Sequence, residues 1–259
     1  MNEENNFFFR MVPAGFRLVP RGFRPTVVIR SYSSRREYRG TPHEKEYLQR
    51  GLDYEFHCIK VLREFSFHAR HKGSLGDKGI DFQGFWQVVQ GDQFDHLSKE
   101  PHMYNIIGQC KHERTQCRSV YIKELEGVLS RWRHIQHHGS FITNQYPERM
   151  QLATKMIPII GLIVNTSGYT QRAIDAFEKT HNPMIMAVIR PANWLPEEPT
   201  SEHLKSCLLY WRANEPAMKY LPGMSSKRVT TEDSTGTIVP SVRLFYNDLD
   251  VSSFELPLE

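Results

Sequence analysis

Between Glu44 and Arg190 the chain alternates between two hydrophobic periods, and their order constrains the fold more than any other feature. The stretch "EKEYLQRGLDYEFHCIKVLREF" sets Leu48, Leu52, Ile59, Leu62 and Phe65 at the spacing of one helix face. Three apolar stretches of strand length follow: "FSFHARHKG", "IDFQGFWQVV" and "MYNIIGQCKH", the third being the most apolar and therefore central. "VYIKELEGVLSRWRHI" returns to the helical period, with Ile122, Leu125, Val128, Leu129, Trp132 and Ile135 on one side. "IIGLIVNTS" and "PMIMAVIR" read as buried strands, separated by the helix "QRAIDAFEKT", which Thr170 is placed to cap. This order predicts an α/β fold with a mixed central sheet flanked by helices. Its first three strands form a meander and its later strands arrive by crossovers.

Beyond "RPANWLPEEP" the two periods are harder to separate. "CLLYWRANEPAMKYL" reads as a helix, "SVRLFYNDLDV" as a strand, and residues 223 to 238 as a flexible loop. The expected organisation is therefore a leader over residues 1–40, a core over 41–192, and a C-terminal extension over 193–259 packed on that core and partly loop.

Charge and cysteine usage limit the function classes. The net charge is +4, but residues 1 to 42 hold eight arginines against three acids, and the remainder is close to neutral. Bulk charge therefore argues for no particular partner. Between Asn5 and Arg36 there are seven arginines, no acid and a closing "RSYSSRR", the composition of a mitochondrial transit peptide. A basic arm that stays on the protein is the alternative. The expected location is the mitochondrion, in the matrix. Cys58, Cys110, Cys117 and Cys207 have no disulfide-like spacing, which predicts a reducing compartment. No apolar run approaches the roughly 18 residues of a membrane span. P-loop, GxSxG, HExxH and GxGxxG patterns are absent.

The chemistry is concentrated in "GDKGIDFQGFW" and "IIGQCKH". Strand alternation puts Gln109 and Lys111 together on one face of the third strand, with Cys110 on the other. An antiparallel second strand brings its first residue, Asp81, across from the end of the third. Glu55 falls on the apolar stripe of the first helix, so it must be paired, metal-bound or at the edge of the interface. A carboxylate, an amide and an ammonium at one sheet edge suit phosphodiester hydrolysis. That reaction needs a hard cation, a positioned water and help in deprotonating it. Asp81, the Gln109 side-chain oxygen, the Cys110 backbone carbonyl and Glu55 are the candidate ligands of Mg²⁺ or Mn²⁺. Lys111 would orient or activate the water. Asp77 is either a turn residue or an acid supporting the site.

The order of helix glutamate, "GDKGID", "GQCK" and "IKELEGVL" resembles the PD-(D/E)XK nuclease superfamily, and within it the Mrr-type restriction endonucleases, whose sites commonly use Q-x-K. The likeness runs from about Glu44 to Arg190. With the arginine-rich leader, the chain looks closer still to the fungal mitochondrial family called required for respiratory growth protein seven. The resemblance implies a restriction-endonuclease-like αβββαβ core and metal-dependent DNA cleavage. It marks Asp81, Gln109 and Lys111 as signature residues, with Glu55 as accessory acid. Gln109 departs from the carboxylate that many members carry, and an amide offers Mg²⁺ a dipole in place of a charge.

Zinc is the competing metal reading, since Cys110, His112 and Cys117 lie close together and His134, His137 and His138 follow. Their spacing fits no standard ligand pair. Residues 103 to 190 hold 11 basic and six acidic residues, and Lys78, Arg114, Arg118 and Arg131 are placed to meet the phosphates of DNA, or of RNA. The second functional expectation is a nuclease fold without catalysis, binding nucleic acid or acting as a mitochondrial assembly factor. Both leave the oligomeric state open, a homodimer included.

Overall fold

The first helix, α1 (Pro42–Arg63), starts where the sequence supplies a full set of N-terminal signals. Thr41 accepts a hydrogen bond from the Glu44 backbone, Glu44 accepts one from the Thr41 N–H, and Pro42 occupies the first turn. In this computed structural model the described residues are 41–72, 79–88, 102–137, 158–232 and 237–251. The leader, Asp77, Lys78 and the connection before His102 lie outside them.

The central sheet follows chain order: β1 (Phe67–His71), β2 (Phe82–Val88), β3 (His102–Lys111), β4 (Ile159–Asn165), β5 (Met184–Ile189) and β6 (Leu208–Ala213). The first three strands are an antiparallel meander, β3, β4 and β5 are parallel, and β6 closes the sheet antiparallel to β5. The crossovers are α2 (Ser119–His137) and α3 (Gln171–Lys179), the latter capped by Thr170, whose side chain accepts from the Ala173 N–H. The α/β class with a mixed, helix-flanked sheet is thus present.

Each face of the sheet buries its own core. Ile107, Ile163 and Met186 pack with Ile122, Leu125 and Leu129 of α2 and with Phe177 of α3. Ile106, Cys110, Leu162 and Ala187 pack on the other face with Cys58 and Leu62 of α1. Val242, Leu244 and Tyr246 of a small second sheet complete that face. This sheet comprises β7 (Met224–Glu232), β8 (Ile238–Tyr246) and β9 (Leu249–Asp250). Gly108 shows how tight the layer is: a Cβ there would lie 1.9 Å from the fully buried Phe82 ring. The strand passes that ring only as glycine.

Three expectations need correction. Residues 223 to 238 contain the paired strand β7, which reads as loop because most of its side chains are exposed. An edge strand with one wet face need not carry an apolar run. After the short helix α4 (Ser201–Lys205), the stretch from Cys207 to Leu221 is β6 followed by the short helix α5 (Glu215–Met218), and not one helix. Asn214 makes the break: its Oδ1 accepts from Ala217 and Met184 N–H groups at 3.0 Å, which caps α5 and ties it to β5. Finally, the buried side of α1 is Tyr54, His57, Cys58, Val61 and Leu62, joined by Ile59; Leu48 is exposed, because residues 41 to 50 all lie in solvent.

Candidate active site

Asp81 is fixed by its backbone before its side chain is considered. Its N–H donates to the Gly108 carbonyl at 2.9 Å, and its carbonyl accepts from the Lys72 N–H at 2.8 Å. It therefore sits between β1 and β3 at the mouth of the meander. The carboxylate Oδ2 accepts the Cys110 N–H at 2.6 Å, which joins "GID" directly to "GQCK". This is a short, charge-assisted contact. It holds the carboxylate against β3 with one oxygen committed to the main chain.

Glu55 is paired, as its place on α1 required. His71 Nε2 lies 2.7 Å from Glu55 Oε2, with the two side chains 18% and 19% exposed. His71 is opposite Phe82 in the β1/β2 register, one residue from Asp81, and its ring packs on Phe56 at 4.6 Å. The Cys110 thiol stands near both acids: burial raises its pKa most, the contact with Cys58 raises it further, and the charges of Asp81 and Glu55 add to this. Cys110 is thus a neutral core thiol, and only its main chain is available as a ligand.

Gln109 and Lys111 point to the opposite, α2, face. Gln109 is 3% exposed, and its Oε1 has no hydrogen-bond donor among the described residues. The turn that precedes Asp81 covers it: Gly79 has φ +83°, and a Cβ there would lie 2.7 Å from Gln109 Nε2. The glycine serves both the left-handed backbone and the close approach. Lys111 Nζ sits 4.6 Å from the centroid of the Tyr121 ring at the start of α2. The Tyr121 hydroxyl donates to Glu113 at 2.5 Å, fixing the ring.

The three signature side chains and the accessory Glu55 therefore flank the end of β3 in two sets. Asp81 and Glu55 lie by Cys110, while Gln109 and Lys111 lie under α2. Two further residues belong to the site and were not singled out from sequence. His71 was within reach, because it ends β1 opposite the start of β2, which Asp81 immediately precedes. Asn165, fully buried, pairs with Lys111 across β3/β4; its Oδ1 accepts the Ser167 N–H at 2.6 Å, and its Nδ2 has no acceptor among the described residues. Nothing in the local sequence distinguishes it from the core strand it ends.

The site's donors fit a hard cation in kind. Asp81 and Glu55 supply carboxylates, and the buried Gln109 Oε1 is an acceptor left without a donor. Among the described residues no three His, Cys, Asp or Glu side chains converge into a metal-holding group. An ion would therefore depend on Asp81 together with amide, main-chain and water oxygens.

Beside this corner opens a cleft of about 1150 Å³ at the C-terminal ends of β3, β4 and β5. Its walls include Tyr47, Arg50 and Tyr54 of α1, Cys110 to Arg114, Thr166 and Ser167, and Pro191 to Asn193. Lys111 and Cys110 reach it; Asp81, Gln109 and Glu55 are not in its walls. Thr166 and Ser167 both donate to the Glu113 carbonyl at 2.6 Å, which braces the loop after β3. His112 stacks on Tyr54 at 4.9 Å, and burial together with the Arg50 charge lowers its pKa. His57 bonds to the Arg190 carbonyl at 2.8 Å, and burial lowers its pKa despite that contact.

Of the expected phosphate contacts, Arg114 lines the cleft and Arg118 lies 6.0 Å from the Tyr121 ring, whereas Arg131 is exposed about 18 Å along α2 from its start. No helix among the described residues is long and apolar enough to cross a membrane. No family model, curated protein or solved structure matches the chain.

Proposed function

We propose that this chain is a mitochondrial, metal-dependent nuclease of the PD-(D/E)XK type that acts on DNA phosphodiester bonds, in maintenance or expression of the mitochondrial genome. The observation that carries the reading is the hydrogen bond from the Cys110 N–H to Asp81. It unites the aspartate and the Q-x-K segment at one sheet edge, next to a glutamate held by a histidine. Such a juxtaposition of two distant motifs has a chemical use when a phosphate and a cation meet there.

Asp81, the Cys110 carbonyl and Glu55 are the groups that would hold Mg²⁺ or Mn²⁺, with Gln109 behind them on the α2 face of the strand. When bound, the ion supplies charge neutralisation on the phosphate and acidifies water. The chain's own residues do the rest. His71 keeps the Glu55 carboxylate oriented by its 2.7 Å contact. Lys111 is an ammonium at the strand end, braced on an aromatic ring and reaching the cleft, where it orients the attacking water or stabilises charge on the phosphate.

The burial of Gln109 favours a second reading. An amide closed in under Gly79 suits a nuclease fold that binds nucleic acid or a mitochondrial assembly partner without cutting. Plasmid incubated with the full chain in Mg²⁺ and Mn²⁺, beside Asp81→Ala and Lys111→Ala, separates the two. The nuclease reading predicts cleavage that both substitutions abolish. Binding without cleavage by all three forms favours the second reading, and cleavage surviving both substitutions removes the site.

A further inference from the structure

The first half of α1 covers no core. Residues 41 to 50 are exposed, yet His43, Tyr47, Arg50 and Tyr54, spaced by four, three and four residues, all line the cleft. That spacing is one helix face. The exposed half of α1 is therefore a wall of the cleft, and its chemistry describes what the cleft holds.

That chemistry has two parts. Arg50, Lys111 and Arg114 bring cations to the walls. The acids there are engaged: Asp53 accepts from Gln49 at 2.7 Å and Glu113 from Tyr121. Two aromatic rings stand out from the protein at the cleft, one on its wall and one at the residue that follows its lining. Tyr47 is 57% exposed on α1, and Trp194 is 66% exposed directly after the lining turn Pro191–Asn193. The Arg190 guanidinium lies 5.2 Å from the Trp194 ring, which props the indole from one side. Large aromatics this exposed contribute little to a core, and the volume exceeds the roughly 300–1,000 Å³ typical of small-molecule pockets. The position, outside the C-terminal ends of parallel strands, is where open α/β sheets take ligands.

We propose that this cleft is a groove for single-stranded nucleic acid, with phosphates on Arg50, Lys111 and Arg114 and unpaired bases stacked on Tyr47 and Trp194. Cationic walls with projecting aromatic faces are the pattern by which single strands are held without base reading. A duplex keeps its bases stacked inside and cannot use the two rings. The inference deepens the nuclease reading, on which it rests for the class of polymer, by naming the strandedness of the substrate at that site.

The test is binding of fluorescent oligonucleotides of one length, single- and double-stranded, to the full chain in chelator, so that cleavage does not enter. The single strand binds at least about tenfold tighter than the duplex. Trp194→Ala and Tyr47→Ala each lower its affinity by roughly 5- to 100-fold, the range of one lost base stack. Arg114→Ala lowers the salt dependence by about one phosphate contact, and Arg228→Ala, exposed on β7 and outside the cleft walls, leaves it unchanged. Both aromatic positions are exposed, so the variants fold. Duplex bound as tightly as single strand, or unchanged affinity in the Tyr47→Ala/Trp194→Ala double variant, overturns the proposal. A chain that binds single strands in this way and cuts nothing upholds the groove while removing the nuclease reading.

Discussion

The end of β3 borders two polar places of opposite character. At the corner, Asp81 is held by three hydrogen bonds to the main chains of its neighbours, and Glu55 by His71. In the cleft, Arg50 and Arg114 are exposed, and Tyr47 and Trp194 project into solvent. The corner is fixed by these contacts, which suits chemistry that tolerates little displacement. The cleft is wide and its aromatic rings are exposed, which suits a polymer. Lys111 belongs to both, standing on the face of Gln109 and reaching the cleft wall.

The largest expected effect separates the two through Asp81, whose loss leaves single-strand affinity intact, whereas loss of Lys111 lowers both. Asp81→Ala and Lys111→Ala lower cleavage by about 10²–10⁴-fold, the range of a lost acid–base or charge-stabilising group, measured as plasmid relaxation. The aromatic variants of the cleft act on single-strand affinity instead. Next comes packing beneath the corner. Gly108→Ala places a methyl group against the Phe82 ring and destabilises the fold by about 1–3 kcal/mol, read by denaturant unfolding. A full-stability Gly108→Ala variant would mean that the ring can move and that the corner is less rigid than described.

His71→Ala tests whether Glu55 needs its partner. Loss of a hydrogen bond to a charged group is worth about 1.5–3 kcal/mol, so cleavage falls roughly tenfold or more while single-strand affinity holds. The smallest effect concerns pH and lies away from both places. His68 stacks on Phe85, and burial, followed by the Arg63 charge, lowers its pKa. Below its ordinary value of about 6.5 the unfolded chain binds the proton more readily, so stability falls as the pH drops through and below that value. His68→Phe shows a shallower loss of melting temperature between pH 7 and pH 5; an equal slope would exclude this histidine as a source.

How far the sequence discloses these places follows from which interactions are local. The alternation in "IIGQCK" and the meander it closes put Asp81 beside β3, and the structure has that pairing. The same alternation puts Gln109 and Lys111 on one face, and α1 packs on the other. Which face a helix takes depends on contacts distant in the chain, so Glu55 could not be assigned to a side from its stripe. The exposed half of α1 is hidden for a related reason: Leu48 and Leu52 continue the helical period beyond the core that would bury them. The cleft assembles from four separate segments, and Trp194 is one aromatic in a proline-rich turn until the ends of β3, β4 and β5 are brought together. Polar β7 reads as loop because its partner strand supplies the order.

The central claim is that Asp81, held on the Cys110 N–H, anchors a divalent cation at this corner. Calorimetric titration of the full chain with Mn²⁺, beside Asp81→Asn, tests it most directly, because the amide keeps the size of the side chain and removes its charge. The account predicts a saturable site in the unaltered chain that the substitution removes or weakens at least about tenfold, with the melting temperature of both forms checked in parallel. Equal Mn²⁺ binding by the two forms contradicts it.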